Sequence, residues 1–301
     1  MRKRTFSIAG AVAASLAGVL VWIGGAGAAA PKPPDYTHAY YLTAHSVDDL
    51  ASQAEAIGKK VAESQTVDHA VLVLDFGAAR RKSGDYGTAL RGGTFFTNGQ
   101  IESALDAAGK GYSDAHKRGS VTIVYANSNA DLGNPEGGDD YEAFTEDLAK
   151  EAGREQAITA KNAKSYPDVS YAIGGDIEPG LQGSAEPDVP IAMIEEAVDE
   201  GDGMPYYDVG TAPCGETKCF GKWTVKDLCS VVSGKDRHPL PEVYFAYQAK
   251  DWGNVAKGCG LKEFAGASAS AIGDLSPEKT WTELEKQPGF DVGPVLVRFP
   301  G

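Results

Sequence analysis

Short apolar runs of β-strand length alternate along the chain with segments of helical periodicity. Eight strands are predicted, over residues 38–44, 70–75, 120–126, 169–178, 205–209, 243–247, 263–268 and 292–299. Helices are predicted between most of them, over residues 47–64, 100–117, 141–163, 191–200, 225–232, 252–257 and 277–286. Strands that alternate with helices form parallel βαβ units, and eight such units close into a (β/α)8 barrel. A doubly wound open sheet is the alternative, but the chain lacks the G-x-G-x-x-G that its dinucleotide-binding form carries after the first strand.

The fourth predicted strand, residues 169–178, supports the barrel by its own pattern. Its even positions are small or polar, and its odd positions from Val169 to Ile177 are mostly large and apolar. Small residues suit the narrow interior of a barrel, whereas large apolar residues suit the surface beneath the helices. Asp176 and Glu178 therefore share the interior face and emerge at the C-terminal end of the strand, where barrel enzymes have their active sites.

The ends of the other predicted strands supply further polar side chains. Asp75 ends the second strand and is predicted to be an electrostatic partner of the two acids, with a helix cap or a salt bridge as the alternative. Six strand-end residues are predicted to contact a ligand: Tyr125, Asn127, Asp208, Tyr247, Gln248 and Arg298. For Tyr247 the alternative is packing in the interior of the barrel. For Asp176 and Glu178 the alternative to a catalytic role is an ion pair with Arg298.

Two carboxylates aimed together are what acid/base cleavage of a glycosidic bond requires. Asp176-Ile177-Glu178 resembles the end of the fourth strand in TIM-barrel glycoside hydrolases, namely chitinase-like enzymes, lysozyme-like muramidases and a glycoside-hydrolase-like domain of actinobacterial secreted proteins. The resemblance implies a single-domain α/β fold, the (β/α)8 TIM barrel, and hydrolysis of an extracellular or cell-wall glycan. It also implies that Glu178 is the general acid and that Asp176 orients an N-acetyl group or stabilises charge at the anomeric carbon.

The chain departs from these families at several positions. The chitinase pattern Asp-x-x-Asp-x-Asp-x-Glu places its first two aspartates at Tyr171 and Gly174, and Thr43 stands where the muramidases carry an aspartate. Asp75 is the residue expected to substitute for that aspartate in space. The chain is therefore expected to be a divergent glycosidase, or else a catalytically silent barrel that binds a glycan or another cell-wall component.

The N-terminal segment has the composition of a secretory signal. Basic residues at positions 2–4 precede an apolar stretch over residues 8–23, and small residues follow at positions 26–28. An uncleaved membrane anchor is the alternative. We expect a secreted, extracellular protein with three parts: a signal peptide over residues 1–28, a short Pro-rich spacer over residues 29–37 and the barrel domain over residues 38–301.

The charge narrows the class of partner. The net charge is −14, and removal of the signal segment takes away three basic residues and no acidic one, which makes it −17. Such a chain repels nucleic acid and anionic lipid. We expect a monomer whose partner is a glycan, with no stable membrane insertion after cleavage.

The four cysteines predict disulfides, because their number is even and the chain is expected to be exported. Three connectivities are open, and the pairing Cys214–Cys219 with Cys229–Cys259 is favoured. A zinc site is the alternative, although the spacings match no usual zinc pattern.

No metal or cofactor is predicted, since the five histidines are scattered and no His-Glu-x-x-His occurs. Calcium in an oxygen-rich loop after the third strand is left open, and a helix cap by Asp139 or Asp140 is the simpler interpretation. The oxygen-bearing residues of that loop are Asp131, Asn134, Glu136, Asp139 and Asp140.

Overall fold

The computed structural model describes residues 31–133, 140–181, 183 and 185–300. Contacts divide the chain into Met1–Lys32 and Pro33–Gly301, and all the helices and strands given below belong to the second unit. The predicted signal peptide lies outside the described residues. Of the predicted spacer, residues 31–36 form neither helix nor strand, and Thr37 begins the first strand.

The described residues form a mixed α/β structure of ten strands and seven helices in the alternating order that the sequence predicts. The strands are β1 Thr37–His38, β2 Tyr40–Tyr41, β3 His69–Lys82, β4 Asp85–Ala89, β5 Phe95–Thr97, β6 Ser120–Ser128, β7 Val169–Asp176, β8 Tyr206–Asp208, β9 Glu263–Ser270 and β10 Asp291–Phe299. The helices are α1 Val47–Ser64, α2 Asn98–Ala115, α3 Glu146–Asn162, α4 Asp188–Gly201, α5 Val225–Val232, α6 Ala246–Cys259 and α7 Pro277–Glu285.

Two helices have the predicted bounds, and each begins at a side-chain cap. The predicted bounds of α1 and α5 agree with the structure. Helix α1 begins where the Ser46 hydroxyl accepts a hydrogen bond from the backbone N–H of Asp49. Helix α5 begins with a capping box in which Thr224 and Asp227 satisfy each other's backbone N–H groups.

The strands form two sheets that are parallel except at one edge. A three-stranded sheet has the order β1-β10-β9, and a seven-stranded sheet has the order β5-β4-β3-β6-β7-β8 with β2 beside β3. The antiparallel edge is the hairpin β3–β4 with β5. Strands β4 and β5 lie between the second predicted strand and the second predicted helix, where the sequence predicts neither a helix nor a strand.

Segment 236–243 hydrogen-bonds to both sheets. On one side, the N–H groups of His238 and Leu240 donate to carbonyls of β8 at 2.8 and 2.7 Å. On the other side, the N–H groups of Ala265 and Ser268, both in β9, donate to the carbonyls of Pro239 and Pro241. The segment therefore lies between β8 and β9, in the position expected for the sixth of the eight predicted strands.

The strand predicted over residues 243–247 is wrong, because only Val243 belongs to this extended segment and α6 already begins at Ala246. The Gln248 side chain explains the early start of the helix. Its Oε1 accepts hydrogen bonds from the N–H groups of Tyr244 and Phe245, which would otherwise lack partners at the helix N-terminus.

Alternate residues of the strands face two different cores. One buried cluster, called the inner cluster below, takes its members from strands of both sheets, from residues next to those strands and from segment 236–243. Its members are Ala39, Val71, Val73, Val124, Ala126, Ala172, Tyr207, Val209, Leu240, Val297 and Phe299. Their neighbours, such as Leu72 and Ile173, pack instead in the clusters that contain the helices. The alternation predicted for the fourth strand is therefore confirmed at Ala172 and Ile173.

Both predicted disulfides are present. Cys214 pairs with Cys219 within one loop, and Cys229 pairs with Cys259, which joins α5 to the end of α6. Disulfides are typical of proteins that pass through an oxidising compartment. Within the described part of the chain, no helix is long and apolar enough to span a membrane.

Candidate functional site: a buried carboxylate cluster at the strand ends

Asp176 is the last residue of β7, and Glu178 follows two residues later. The strand can approach its neighbour β8 closely because Gly174 and Gly175 carry no side chain. A Cβ at Gly174 would come within 2.5 Å of the Tyr207 carbonyl oxygen, and one at Gly175 within 2.4 Å of the Tyr206 hydroxyl. The Gly-Gly pair thus fixes where the strand delivers its two acids.

A third acid, Glu242, completes a cluster with these two. Carboxylate oxygens of Asp176, Glu178 and Glu242 all lie within 4.8 Å of one another. Among the described residues, this is the only place where three His, Cys, Asp or Glu side chains could share a cation. Glu242 comes from segment 236–243 and is 1% exposed.

Sequence reasoning missed Glu242. Pro239 and Pro241 interrupt the apolar pattern and supply no N–H to a sheet, so the predicted strand begins one residue too late to include Glu242. The sequence does carry one signal that could identify Glu242, which is that it lies two residues after the apolar Leu240. Because Leu240 faces the inner cluster, a residue two positions later in an extended segment faces the same way.

Hydrogen bonds fix both the backbone and the side chain of Glu178. Its N–H donates to Asn129 Oδ1 at 3.0 Å, and its carbonyl accepts from Asn129 Nδ2 at 3.1 Å. Its carboxylate Oε1 accepts from the N–H of Thr211 at 2.9 Å. The side chain is half-buried and fixed in direction.

The other two acids have fewer partners. The Tyr244 hydroxyl donates to Glu242 Oε2 at 2.7 Å. Glu242 Oε1 and Asp176 Oδ1 are buried and have no hydrogen-bond partner among the described residues. Buried polar atoms are normally paired, so two unpaired carboxylate oxygens in one cluster indicate room for a proton, a cation or a polar ligand.

The cluster adjoins a cavity of about 520 Å³. Asp176 lines this cavity, as do Tyr41, Asp75, Arg91, Tyr244 and Ile272. Asp75 lies where β3 bulges, and its Oδ1 accepts the N–H of Gly77 at 2.6 Å. Asp75, the predicted electrostatic partner of the two acids, therefore lies in the same cavity wall as Asp176.

Burial raises the pKa of every acid in this region. Burial raises the pKa of Asp75 to about 6, although the hydrogen bond from Gly77 and the positive charge of Arg91 both act to lower it. Burial, followed by the charges of Glu178 and Glu242, raises the pKa of Asp176 well above its usual range. Burial likewise raises the pKa of Glu178, which the hydrogen bonds from Thr211 oppose. The cluster thus retains protons at pH values where exposed acids have lost them.

Glu242 follows the same rule. Burial and then the charge of Glu178 raise its pKa well above the usual range, while the hydrogen bond from Tyr244 acts in the opposite direction. Carboxyl groups that keep protons near neutral pH are the ones that can act as general acids.

Asp208 lies next to the cluster and outside the cavity wall. It is 1% exposed, and its Oδ1 accepts the N–H of Ile177 at 3.4 Å, which ties β8 to the chain between Asp176 and Glu178. Tyr207 and Val209 face the inner cluster, so Asp208 faces the opposite way. Its position supports a structural role in holding the two acids.

Tyr125 and Asn127 lie on the outer face of β6, because Val124 and Ala126 occupy the inner face. The Tyr125 hydroxyl donates to Asn98 Oδ1 at 3.0 Å, at the start of α2. Asn127 is also buried. The structure therefore does not bring these two predicted ligand contacts to the cavity.

The remaining predicted contacts also lie elsewhere. Gln248 caps α6, and Tyr247 is 65% exposed and stacked on Phe245. The Arg298 guanidinium lies 6.0 Å from the centre of the Tyr36 ring. No ion pair joins it to Glu178 or Asp176 within the described ranges, contrary to the alternative considered for these acids.

The oxygen-rich loop left open for calcium is described only in part, since Asn134, Glu136 and Asp139 lie outside the described residues. At its described ends, Asp131 pairs with Arg80 at 3.1 Å and Asp140 with Lys82 at 3.5 Å. Helix α3 begins later and is capped by Thr145, whose hydroxyl accepts the N–H of Leu148, so the predicted cap by Asp140 is wrong.

Comparison with known proteins adds no family to this picture. No protein-family model matches the chain, and no curated protein matches its sequence.

Proposed function

We propose that this chain is an exported glycoside hydrolase that cleaves an extracellular or cell-wall glycan by carboxylate acid/base catalysis. The observation that carries the proposal is the convergence of Asp176, Glu178 and Glu242 beside a cavity that Asp75 also lines. Glycosidases use such acids on either side of the bond that they break. The fourth-strand Asp-x-Glu resemblance supports the same conclusion, as do the two disulfides for export.

The proposal includes a closed (β/α)8 barrel. Its support is a chain of pairings around the molecule: β2 with β3, β3 with β6, β6 with β7 and β7 with β8. Segment 236–243 continues it from β8 to β9, and β10 then pairs with both β9 and β1. In such a barrel the active site lies at the C-terminal ends of the strands, where Asp75 and Asp176 are found.

In this proposal Glu178 is the general acid that protonates the leaving glycosidic oxygen. Its fixed direction and its partial burial suit that task. Asp176, which lines the cavity, stabilises the positive charge that develops at the anomeric carbon. Glu242 and Asp75 also act electrostatically on Asp176.

The second candidate is a catalytically silent module that binds a glycan or another wall component. One observation favours it: the Glu178 carboxylate accepts a backbone hydrogen bond from Thr211, and Glu178 is not among the described residues that line the cavity. If the Glu178 carboxylate only holds the loop that contains Thr211, its role is structural and involves no substrate.

Hydrolysis assays with three proteins separate the two candidates. The wild type, Glu178→Gln and the control Glu63→Gln are incubated with peptidoglycan, chitin and a panel of plant glycans, and reducing ends are counted. Glu63 is an exposed residue of α1, so its change alters charge equally without touching the site. The proposal expects release by the wild type and by Glu63→Gln, with a loss of about 10²-fold or more in Glu178→Gln. Equal release by all three would overturn the role of Glu178, and release by none would favour the silent module.

A further inference from the structure

We infer that Asp176, Glu178 and Glu242 form a binding site for a divalent cation of the Ca²⁺ class. This goes beyond glycan hydrolysis, because it gives the same three carboxylates a second ligand. The site is assembled from two different segments of the chain, the end of β7 and segment 236–243.

The geometry suits one ion. Ca²⁺ lies about 2.3–2.6 Å from its oxygen ligands, so two ligands on opposite sides of it are separated by about 4.6–5.2 Å. The three carboxylate oxygens lie within 4.8 Å of one another. A single Ca²⁺ ion can therefore contact all three, and the purely oxygen donor set favours a hard cation over zinc or copper.

A second, independent observation indicates a missing ligand. Glu242 is 1% exposed, yet its Oε1 has no partner among the described residues, and the same holds for the buried Oδ1 of Asp176. Leaving a buried acceptor unpaired costs about 1–3 kcal/mol, and more for a charged group. A cation between the three acids would satisfy these oxygens at once.

The charges that surround Asp176 are mostly negative. The charged groups that act most strongly on Asp176 are all acids: Glu178, Glu242, Asp75 and Asp208. Positive charges act on two of these acids, Arg91 on Asp75 and Arg237 on Asp208. Buried like charges need a counter-charge, which a divalent cation supplies.

Cation binding and the proposed hydrolysis of a glycan need the same carboxylates and therefore exclude each other. A cation bound to the Glu178 carboxylate occupies the group that the proposed function assigns to catalysis. Calcium should therefore inhibit the proposed hydrolysis, and this consequence alone rests on the proposed function.

Direct binding tests the inference without any substrate. The full chain is treated with EDTA, dialysed and titrated with CaCl₂ by calorimetry and with Tb³⁺ by luminescence. We expect one site with a Kd of about 10⁻⁴–10⁻³ M for Ca²⁺, the range of extracellular calcium modules. The absence of binding in the wild type would overturn the inference.

Variants then locate the site. Glu242→Gln and Asp176→Asn each remove one charged ligand while keeping the side-chain shape, and each should weaken Ca²⁺ binding by about 10-fold or more, since affinity follows the number of charged ligands. Asp140→Asn is the matched control, because it removes an exposed acid of the other oxygen-rich loop. Circular dichroism confirms that each variant is folded. Binding that survives both cluster variants and is lost in Asp140→Asn would overturn the assignment.

The outcome is separable from that of the proposed function. Hydrolysis measured in EDTA tests the glycosidase alone, and calorimetry tests the cation site alone. Where both hold, Ca²⁺ at about ten times its Kd should lower the hydrolysis rate about 10-fold by mass action. Unchanged hydrolysis would contradict the shared site.

Discussion

At the scale of single residues, the site depends on a few hydrogen bonds to buried acids. Tyr244 is one of these, since its hydroxyl is the partner of Glu242 Oε2 and its ring lines the cavity. Without this donor, both oxygens of a carboxyl group that is 1% exposed would lack a partner. Tyr244 therefore links the stability of the cluster to the wall of the cavity.

Replacing Tyr244 by Phe should destabilise the fold by about 1–3 kcal/mol, the cost of an unsatisfied buried polar group. The matched control is Tyr247→Phe, which removes the same hydroxyl from a side chain that is 65% exposed. Urea unfolding followed by circular dichroism measures both changes. Equal stability of the two variants would contradict a structural role for the Tyr244 hydroxyl.

At the scale of elements, the sequence predicts most where local rules act alone. Helix α1 is predicted at its observed bounds because Asp48 and Asp49 favour its first turn and its apolar positions repeat at helical spacing. Strand β7 is recognisable from its alternation, which also places Asp176 and Glu178 on one face. Segment 236–243 lacks such a pattern, because Pro239 and Pro241 interrupt its apolar positions.

The disulfides show what element-scale links contribute to stability. Cys229 and Cys259 are 30 residues apart and close a loop that contains segment 236–243, whereas Cys214 and Cys219 are 5 residues apart. Loop-closure entropy therefore gives the longer link the larger effect, roughly 3.5 against about 2 kcal/mol.

Two double variants test this difference: Cys229→Ala with Cys259→Ala, and Cys214→Ala with Cys219→Ala. The first pair should lower the free energy of unfolding more than the second, because it releases the longer loop. Thermal unfolding of both variants beside the wild type measures the effect, and each pair serves as the control for the other. A larger loss on removal of the 214–219 link would show that loop length does not determine the contribution.

At the scale of the whole molecule, the mixed α/β class and the alternation of strands with helices were predictable, and the composition of the site was predictable only in part. Asp75, Asp176 and Glu178 were identified because they end regular strands that face inward. Tyr125 and Arg298 lie near strand ends, which is the only basis for predicting them as ligand contacts, and each faces outward beside an inward neighbour. The face of a residue depends on pairing register, which short strands do not reveal in sequence.

The buried acids at the strand ends give the stability of the fold an unusual pH dependence. The pKa of Asp75 rises from 3.8 to about 6 on folding, so the folded state binds more protons than the unfolded chain between these values. The stabilisation is complete below about pH 4 and is lost as the pH rises through about 6. For Asp75 alone this amounts to about 3 kcal/mol.

Asp75→Asn should therefore flatten the fall in stability between pH 4 and pH 7, because the neutral amide stays uncharged and its oxygen can still accept the Gly77 N–H. Arg91 and Asp176 face the same site and remain unchanged in this variant. Urea midpoints measured in EDTA at half-unit pH steps, with Glu63→Gln as the control, provide the test. A variant curve parallel to that of the wild type would exclude Asp75 as a source of the pH dependence.

The central claim is that Glu178 donates a proton to a glycan bound in the cavity beside Asp176. The most direct test is a crystal structure of the Glu178→Gln variant soaked with the glycan that the wild type hydrolyses fastest. We predict a glycosidic oxygen within about 2.6–3.2 Å of the side chain at position 178, with the adjoining sugar ring between Asp75 and Asp176. A glycan bound elsewhere, with the substituted side chain at position 178 still directed at Thr211, would contradict the account.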